Sequence, residues 1–133
     1  MAVNTLQYAR KKWRDNGYTV EAGEHVSRIG SVVRRHDTFG FADLLCVQYG
    51  RLVLLQVTSW SNVSARINKI ANGDHGSGQY RKPIFQTAVD LLAIPGVRIV
   101  VEGWKLNTHT NRWESREVEV TESELISRRD IPK

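Results

Sequence analysis

Asp43 stands early in an otherwise apolar run, residues 41–49. A carboxylate in such a run is costly to bury and needs a metal, a cation or solvent beside it. Thirteen positions on, Gln56 and Thr58 interrupt a second apolar run, residues 52–58. Strand side chains alternate, so these two share one face with Leu54 while Val53, Leu55 and Val57 take the other. Asp43 joins this polar cluster if the strand register brings it alongside. Ser59, Trp60, Ser61 and Asn62 then lead straight into an amphipathic segment whose free N-terminal amides would suit an anionic phosphate. On it Asn62, Arg66 and Lys69 recur at i, i+4 and i+7, which places Arg66 or Lys69 near Asp43, Gln56 and Thr58. A plainer reading also fits these residues. Asp43 then caps a turn or pairs with an arginine, Gln56 and Thr58 lie hydrogen-bonded on a wet sheet face, and Arg66 and Lys69 form a solvated helix flank.

The elements that must hold these residues follow from periodicity. Residues 4–16 read as a helix, with Asn4 or Thr5 as cap, Leu6, Ala9 and Trp13 at helical spacing and Gly17 to close it. Tyr18, Val20 and Ala22 alternate as a strand, whereas residues 23–38, which carry Arg28, Arg34, Arg35 and His36, show no clear period. The two apolar runs, separated by Gly50 and Arg51, are the clearest hairpin signal in the chain. Residues 62–71 place Val63, Ile67 and Ile70 on one helical stripe. A polar connection, residues 74–79, leads to a helix that begins around Pro83 and is stopped by Pro95 and Gly96. Strands over 97–104 and 113–120 follow, and Thr121 with Glu124 forms a capping-box pattern for a last short helix. The order αβββααββα predicts an α/β domain with one mixed sheet flanked by helices.

The chain has 133 residues, enough for one core, so a single domain over 1–133 is expected and a multidomain machine is excluded. No run approaches the roughly 20 apolar residues that cross a bilayer, and Arg10, Lys11 and Lys12 arrive without an apolar signal core. A soluble, cytoplasmic protein that meets no membrane is the expectation. Cys46, the single cysteine, excludes an internal disulfide and reads as a small buried hydrophobe rather than a nucleophile. His25, His36, His75 and His109 lack the spacing of zinc ligands. The formal charge is +5, and residues 1–36 hold seven basic against three acidic side chains, a balance suited to polyanions or merely to solubility. Trp60 and Trp104 either stack on bases or pack in the core or at the rim.

Phe39, Gly40, Phe41, Ala42 and Asp43, followed by Gln56, Val57 and Thr58, give the chain a resemblance to the PD-(D/E)xK nuclease superfamily of Holliday-junction resolvases and restriction endonucleases. In that family a helix leads into a three-stranded meander with an Asp at the start of the second strand and an acid-x-Lys triplet on the third. The run QVTSWSNVSARINKI, residues 56–70, is similar to a subgroup of small phage and prophage proteins, and the resemblance covers residues 5–104. It implies a restriction-endonuclease-like αβββαβ core and a metal-dependent DNA endonuclease, with Mg2+ or Mn2+ held by Asp43 and Gln56. Asp43, Gln56, Thr58 and Lys69 are the implied catalytic set. Arg10, Lys11, Lys12, Arg34, Arg35, Ser59, Asn62 and Arg66 are the implied contacts to nucleic acid, DNA rather than RNA. Branched DNA would call for a homodimer, because two strands must be cut symmetrically.

The chain departs from the family pattern at three places. Gln56 replaces the second acid and can ligate a hard cation only through its neutral amide oxygen. Thr58 replaces the lysine and supplies no charge, which makes Lys69, with Arg66 as substitute, the candidate for a lysine moved to the following helix. The extra acid that resolvases often carry on the first helix is missing, since Gln7 stands there, and Glu21, Glu24 and Asp37 are the nearest alternatives. A second expectation follows: a nuclease-fold module without chemistry, binding nucleic acid or a host protein as a phage regulatory factor.

Overall fold

In a computed structural model, the structure describes residues 3–130, and the side chains of all of these except Val3, Asn4, His25, Ser27, Ile29, Arg34 and Arg35. Helix α1 (Val3–Asp15) is followed by β1 (Thr19–Ala22), β2 (Glu24–Ile29), β3 (Val32–Asp37), β4 (Leu44–Gln48) and β5 (Arg51–Ser59). A 3-10 turn (Trp60–Asn62) then enters α2 (Val63–Asn72). Two short strands, β6 (Asp74–His75) and β7 (Lys82–Pro83), bracket a second 3-10 turn (Gly78–Tyr80) before α3 (Ile84–Leu92). The chain ends with β8 (Val97–Asn107), β9 (Arg112–Val120) and α4 (Glu122–Ser127).

Five strands form the central sheet in the order β1-β4-β5-β8-β9. All neighbours are antiparallel except β5 and β8, which run parallel across the crossover made by α2 and α3. The fold is therefore α/β, with a mixed five-stranded sheet flanked by helices. Among the described residues no helix is long and apolar enough to cross a membrane.

Strand β5 is central and covered on both sides, with every residue from Val53 to Thr58 buried. Leu54, Ile99, Val101 and Val120 pack with Ile67 and Ile70 of α2, Ile84 and Ala88 of α3 and Leu125 of α4. On the opposite face Val53, Leu55, Val57, Leu44 and Cys46 pack with Ala9 and Trp13 of α1. Two layers of helix thus bury the two alternating faces of the apolar strands.

The periodic elements lie close to their expected bounds. The hairpin turn is Tyr49–Gly50, both with positive φ (37° and 70°), and Arg51 already opens β5 opposite Gln48. Positive φ at both central positions is what a two-residue turn needs to match strand twist, and glycine adopts it freely. The first helix begins at Val3, so Thr5 is a buried residue within its first turn rather than a cap; the side chain of Asn4 lies outside the described residues. Residues 23–38, without a clear period in sequence, form the β2–β3 hairpin, a separate two-stranded sheet. Thr121 caps α4 by accepting a hydrogen bond from the Glu124 backbone N–H at 3.2 Å.

Candidate active site

The chain leaves β3 at Asp37 and reverses through residues 38–42, closed by Gly40 N–H to Asp37 O (2.9 Å) and Ala42 N–H to Thr38 O (2.9 Å). Phe39 and Gly40 both take positive φ, 56° and 83°. A Cβ on Gly40 would lie 2.6 Å from His75 Cβ, so only glycine lets the turn settle against β6. This reversal returns Asp43 to Asp37, and the two carboxyl groups hydrogen-bond one another.

Asp43 is half-buried where β4 begins, and its Oδ2 accepts the backbone N–H of Val57 at 2.8 Å. That bond fixes it beside Gln56 and Thr58. Burial is the main cause that pushes the Asp43 carboxyl from 3.8 up to about 7. The Val57 N–H opposes this, the charge and hydrogen bond of Asp37 add to it, and the Arg66 guanidinium on α2 pulls it back.

Gln56 is 3% exposed, and its Oε1 has no hydrogen-bond partner among the described residues. A buried amide oxygen left unpaired costs on the order of 1–3 kcal/mol, so its presence calls for an explanation. The residues that meet here fit a hard cation. Asp43 and Asp37 supply carboxyl oxygens, and Gln56 supplies an amide oxygen with no hydrogen-bond partner among the described residues. Among the described residues there is no group of three or more His, Cys, Asp or Glu side chains able to hold a metal ion.

An open cleft of about 500 Å³ adjoins this set, lined by His36, Asp37, Phe39, Lys69, Asp74 and His75 among others. Lys69 reaches it from α2, so the helix flank and Asp37 share one cavity. His75 is held by a 2.7 Å hydrogen bond between its Nε2 and Thr87 Oγ1. Asp43, Gln56 and Thr58 are not part of the cleft wall; Asp43 meets it through Asp37. Thr58 is 2% exposed.

The residues expected to touch nucleic acid divide into separate places. Arg66 is half-buried and acts on Asp43, whereas Ser59 and Asn62 are exposed around the 3-10 turn and neither side chain caps it or α2. Arg10, Lys11 and Lys12 belong to α1, which covers the other face of the sheet. Lys11 pairs with Asp15 at 2.6 Å. Lys12 gives its ammonium to Glu102 at 2.9 Å and to Ser115 at 3.0 Å, which removes it from the set of free phosphate contacts. Arg34 and Arg35 stand on β3 opposite Ser27 and Val26, and their side chains lie outside the described residues.

Sequence reasoning missed Glu102, a carboxylate with no exposure. It also accepts Trp13 Nε1 at 2.9 Å and Trp104 Nε1 at 2.7 Å. Trp104 is thereby a buried structural donor. Trp60 instead lies between Lys105 Nζ, 4.1 Å from its ring centre, and the Arg116 guanidinium at 4.9 Å. Cys46 is fully buried, which with the Glu102 charge pushes its thiol up to about 12 and keeps it protonated. Asp37 was visible in sequence only as one of three acids near Asp43; Glu24 opposite it was another.

Compared with known proteins, the chain matches no family model, no curated protein and no solved structure.

Proposed function

We propose that this chain is a metal-dependent DNA endonuclease of the PD-(D/E)xK type. The observation that carries the reading is the unpaired, buried Oε1 of Gln56, next in the chain to the Val57 N–H that holds Asp43, together with the Asp37 carboxyl acting on Asp43. The order of elements is compatible with it: with the β2–β3 hairpin and the segment from β6 to α3 read as insertions, α1, β1, β4, β5, α2 and β8 follow the order αβββαβ. On this reading the acid lost at Gln56 is replaced by Asp37.

Asp43, Asp37 and Gln56 would hold Mg2+ or Mn2+. Such an ion would supply Lewis-acid polarisation of the phosphate and a more acidic water. Arg66 pulls Asp43 towards its ionised form, against the burial that raises it. Lys69, exposed at the cleft, neutralises charge gathering on the scissile phosphate. The reaction class is phosphodiester hydrolysis, on branched or structured DNA and by a homodimer if two strands are cut together. The setting we propose is a bacterial or phage-infected cytoplasm.

Two observations favour a second reading. Thr58, buried where the family has its lysine, and the absence of a third acid among the described residues fit a module that binds nucleic acid or a host protein without cutting. The experiment is incubation with labelled linear, single-stranded, flap and four-way DNA in Mg2+ or Mn2+, beside EDTA and Asp43→Ala. Metal-dependent cutting lost in Asp43→Ala supports the enzyme. Binding in EDTA with no cutting in either metal supports the module.

A further inference from the structure

The β2–β3 hairpin contributes Asp37 to the site and otherwise stands apart, as a two-stranded sheet of its own. Each strand has six residues, a ribbon of roughly 20 Å. Val26, Val32 and Val33 are 61%, 53% and 49% exposed, so no further layer of the described residues covers these positions. Its charge is of one sign: residues 25–36 contain Arg28, Arg34, Arg35 and two histidines, and no acid. The acids Glu24 and Asp37 face one another only at the base. The register spreads the arginines along the ribbon, with Arg28 opposite Val33 towards the tip and Arg34 and Arg35 opposite Ser27 and Val26 further back.

We infer that the β2–β3 ribbon is an arm that enters the major groove of B-form DNA. The groove, about 12 Å wide, admits a two-stranded ribbon, whereas the deep, narrow major groove of an A-form RNA duplex does not. Arginines spaced along the arm meet phosphates on the groove walls, and the exposed valines offer apolar contact to thymine methyl groups. The arm ends on Asp37, so a seated duplex lies against the cleft that holds Asp37 and Lys69. That the seated duplex is also the substrate rests on the endonuclease reading; the binding does not.

The test is an anisotropy titration of the full chain, in EDTA so that nothing is cut, against a labelled DNA duplex, an RNA duplex of the same sequence and the single DNA strand, over a salt series. The triple variant Arg28→Gln/Arg34→Gln/Arg35→Gln is compared with its Lys counterpart and with Asp43→Ala. We expect the Gln variant to lose about tenfold or more on the DNA duplex, with the log–log salt slope reduced by roughly 2–3 and the melting temperature kept. The Lys variant should recover most of the salt slope, and the RNA duplex should bind weakly and indifferently to the arm. Unchanged DNA affinity and slope overturn the inference, and so does an equal loss on all three nucleic acids. Dissociation of a dimer by Val26→Ser/Val33→Ser, with DNA binding intact, overturns it in favour of an interface between copies. The two readings separate once metal is restored: Asp43→Ala that binds as wild type in EDTA and does not cut in Mg2+ leaves the arm standing, and arm-dependent binding in EDTA with no cutting by the wild type in Mg2+ or Mn2+ removes only the endonuclease.

Discussion

The Asp43 carboxylate accepts the Val57 backbone N–H at 2.8 Å, in place of a strand partner, and so stands between Gln56 and Thr58. The same bond that orders it also lowers its pKa, yet burial outweighs this and the group is pushed from 3.8 up to about 7. Carboxyl burial, a neighbouring acid and an unpaired amide oxygen are unfavourable one by one, and a hard cation would relieve all three.

The sign of the pH dependence follows. Between 3.8 and about 7 the folded chain keeps a proton on Asp43 that the unfolded chain releases. Its contribution to stability is therefore most favourable below the unfolded value, falls as pH rises through this window and is least favourable above about 7. Asp43→Asn, which cannot ionise, should raise the melting temperature at pH 8 by on the order of 5 °C and leave it nearly unchanged at pH 4. Equal shifts at both pH values would contradict the assignment.

Divalent ions supply a second check. Mg2+ or Mn2+ at ten times its dissociation constant should stabilise the chain by about 1.4 kcal/mol at pH 8, much less at pH 5, and not at all in Asp37→Asn/Asp43→Asn. Gln56→Glu puts a third carboxyl, itself buried, on this strand end. In EDTA it should destabilise by on the order of 2 kcal/mol, and in metal it should bind the ion more tightly than the wild type, as calorimetry would report.

The two cations of α2 have separable roles. Lys69→Ala should lower the cleavage rate by about 10²-fold with little change in its pH profile, because Lys69 faces the cleft rather than Asp43. Arg66→Ala removes a charge that holds Asp43 down, so its acidic limb should move to higher pH. A shifted limb in Lys69→Ala and none in Arg66→Ala would reverse the assignment.

Lys12 belongs to stability. Among the described residues its ammonium is the one cation bonded to the fully buried Glu102, whose other partners there are neutral indoles. Lys12→Met should cost on the order of 3 kcal/mol in urea unfolding, since it strands a buried carboxylate, while DNA affinity measured well below the transition stays the same.

Local pattern alone determined much of this protein. The β4–β5 hairpin, the Val63, Ile67 and Ile70 stripe of α2, the stop at Pro95 and Gly96 and the Thr121 cap each depend on residues within a few positions of one another, so periodicity and turn chemistry suffice to place them. Asp43, Gln56 and Thr58 were legible for the same reason, as polar residues that break apolar strand runs. The β2–β3 hairpin was obscure because its strands form a separate sheet with exposed valines, and alternation is a readable signal only where one face is buried. Tertiary structure alone decided that Asp37 meets Asp43, that Lys69 opens on the same cleft, and that Lys12 crosses to Glu102, ninety positions away. These meetings arise where the sheet brings distant segments together, and no local period encodes which charge will find which partner there.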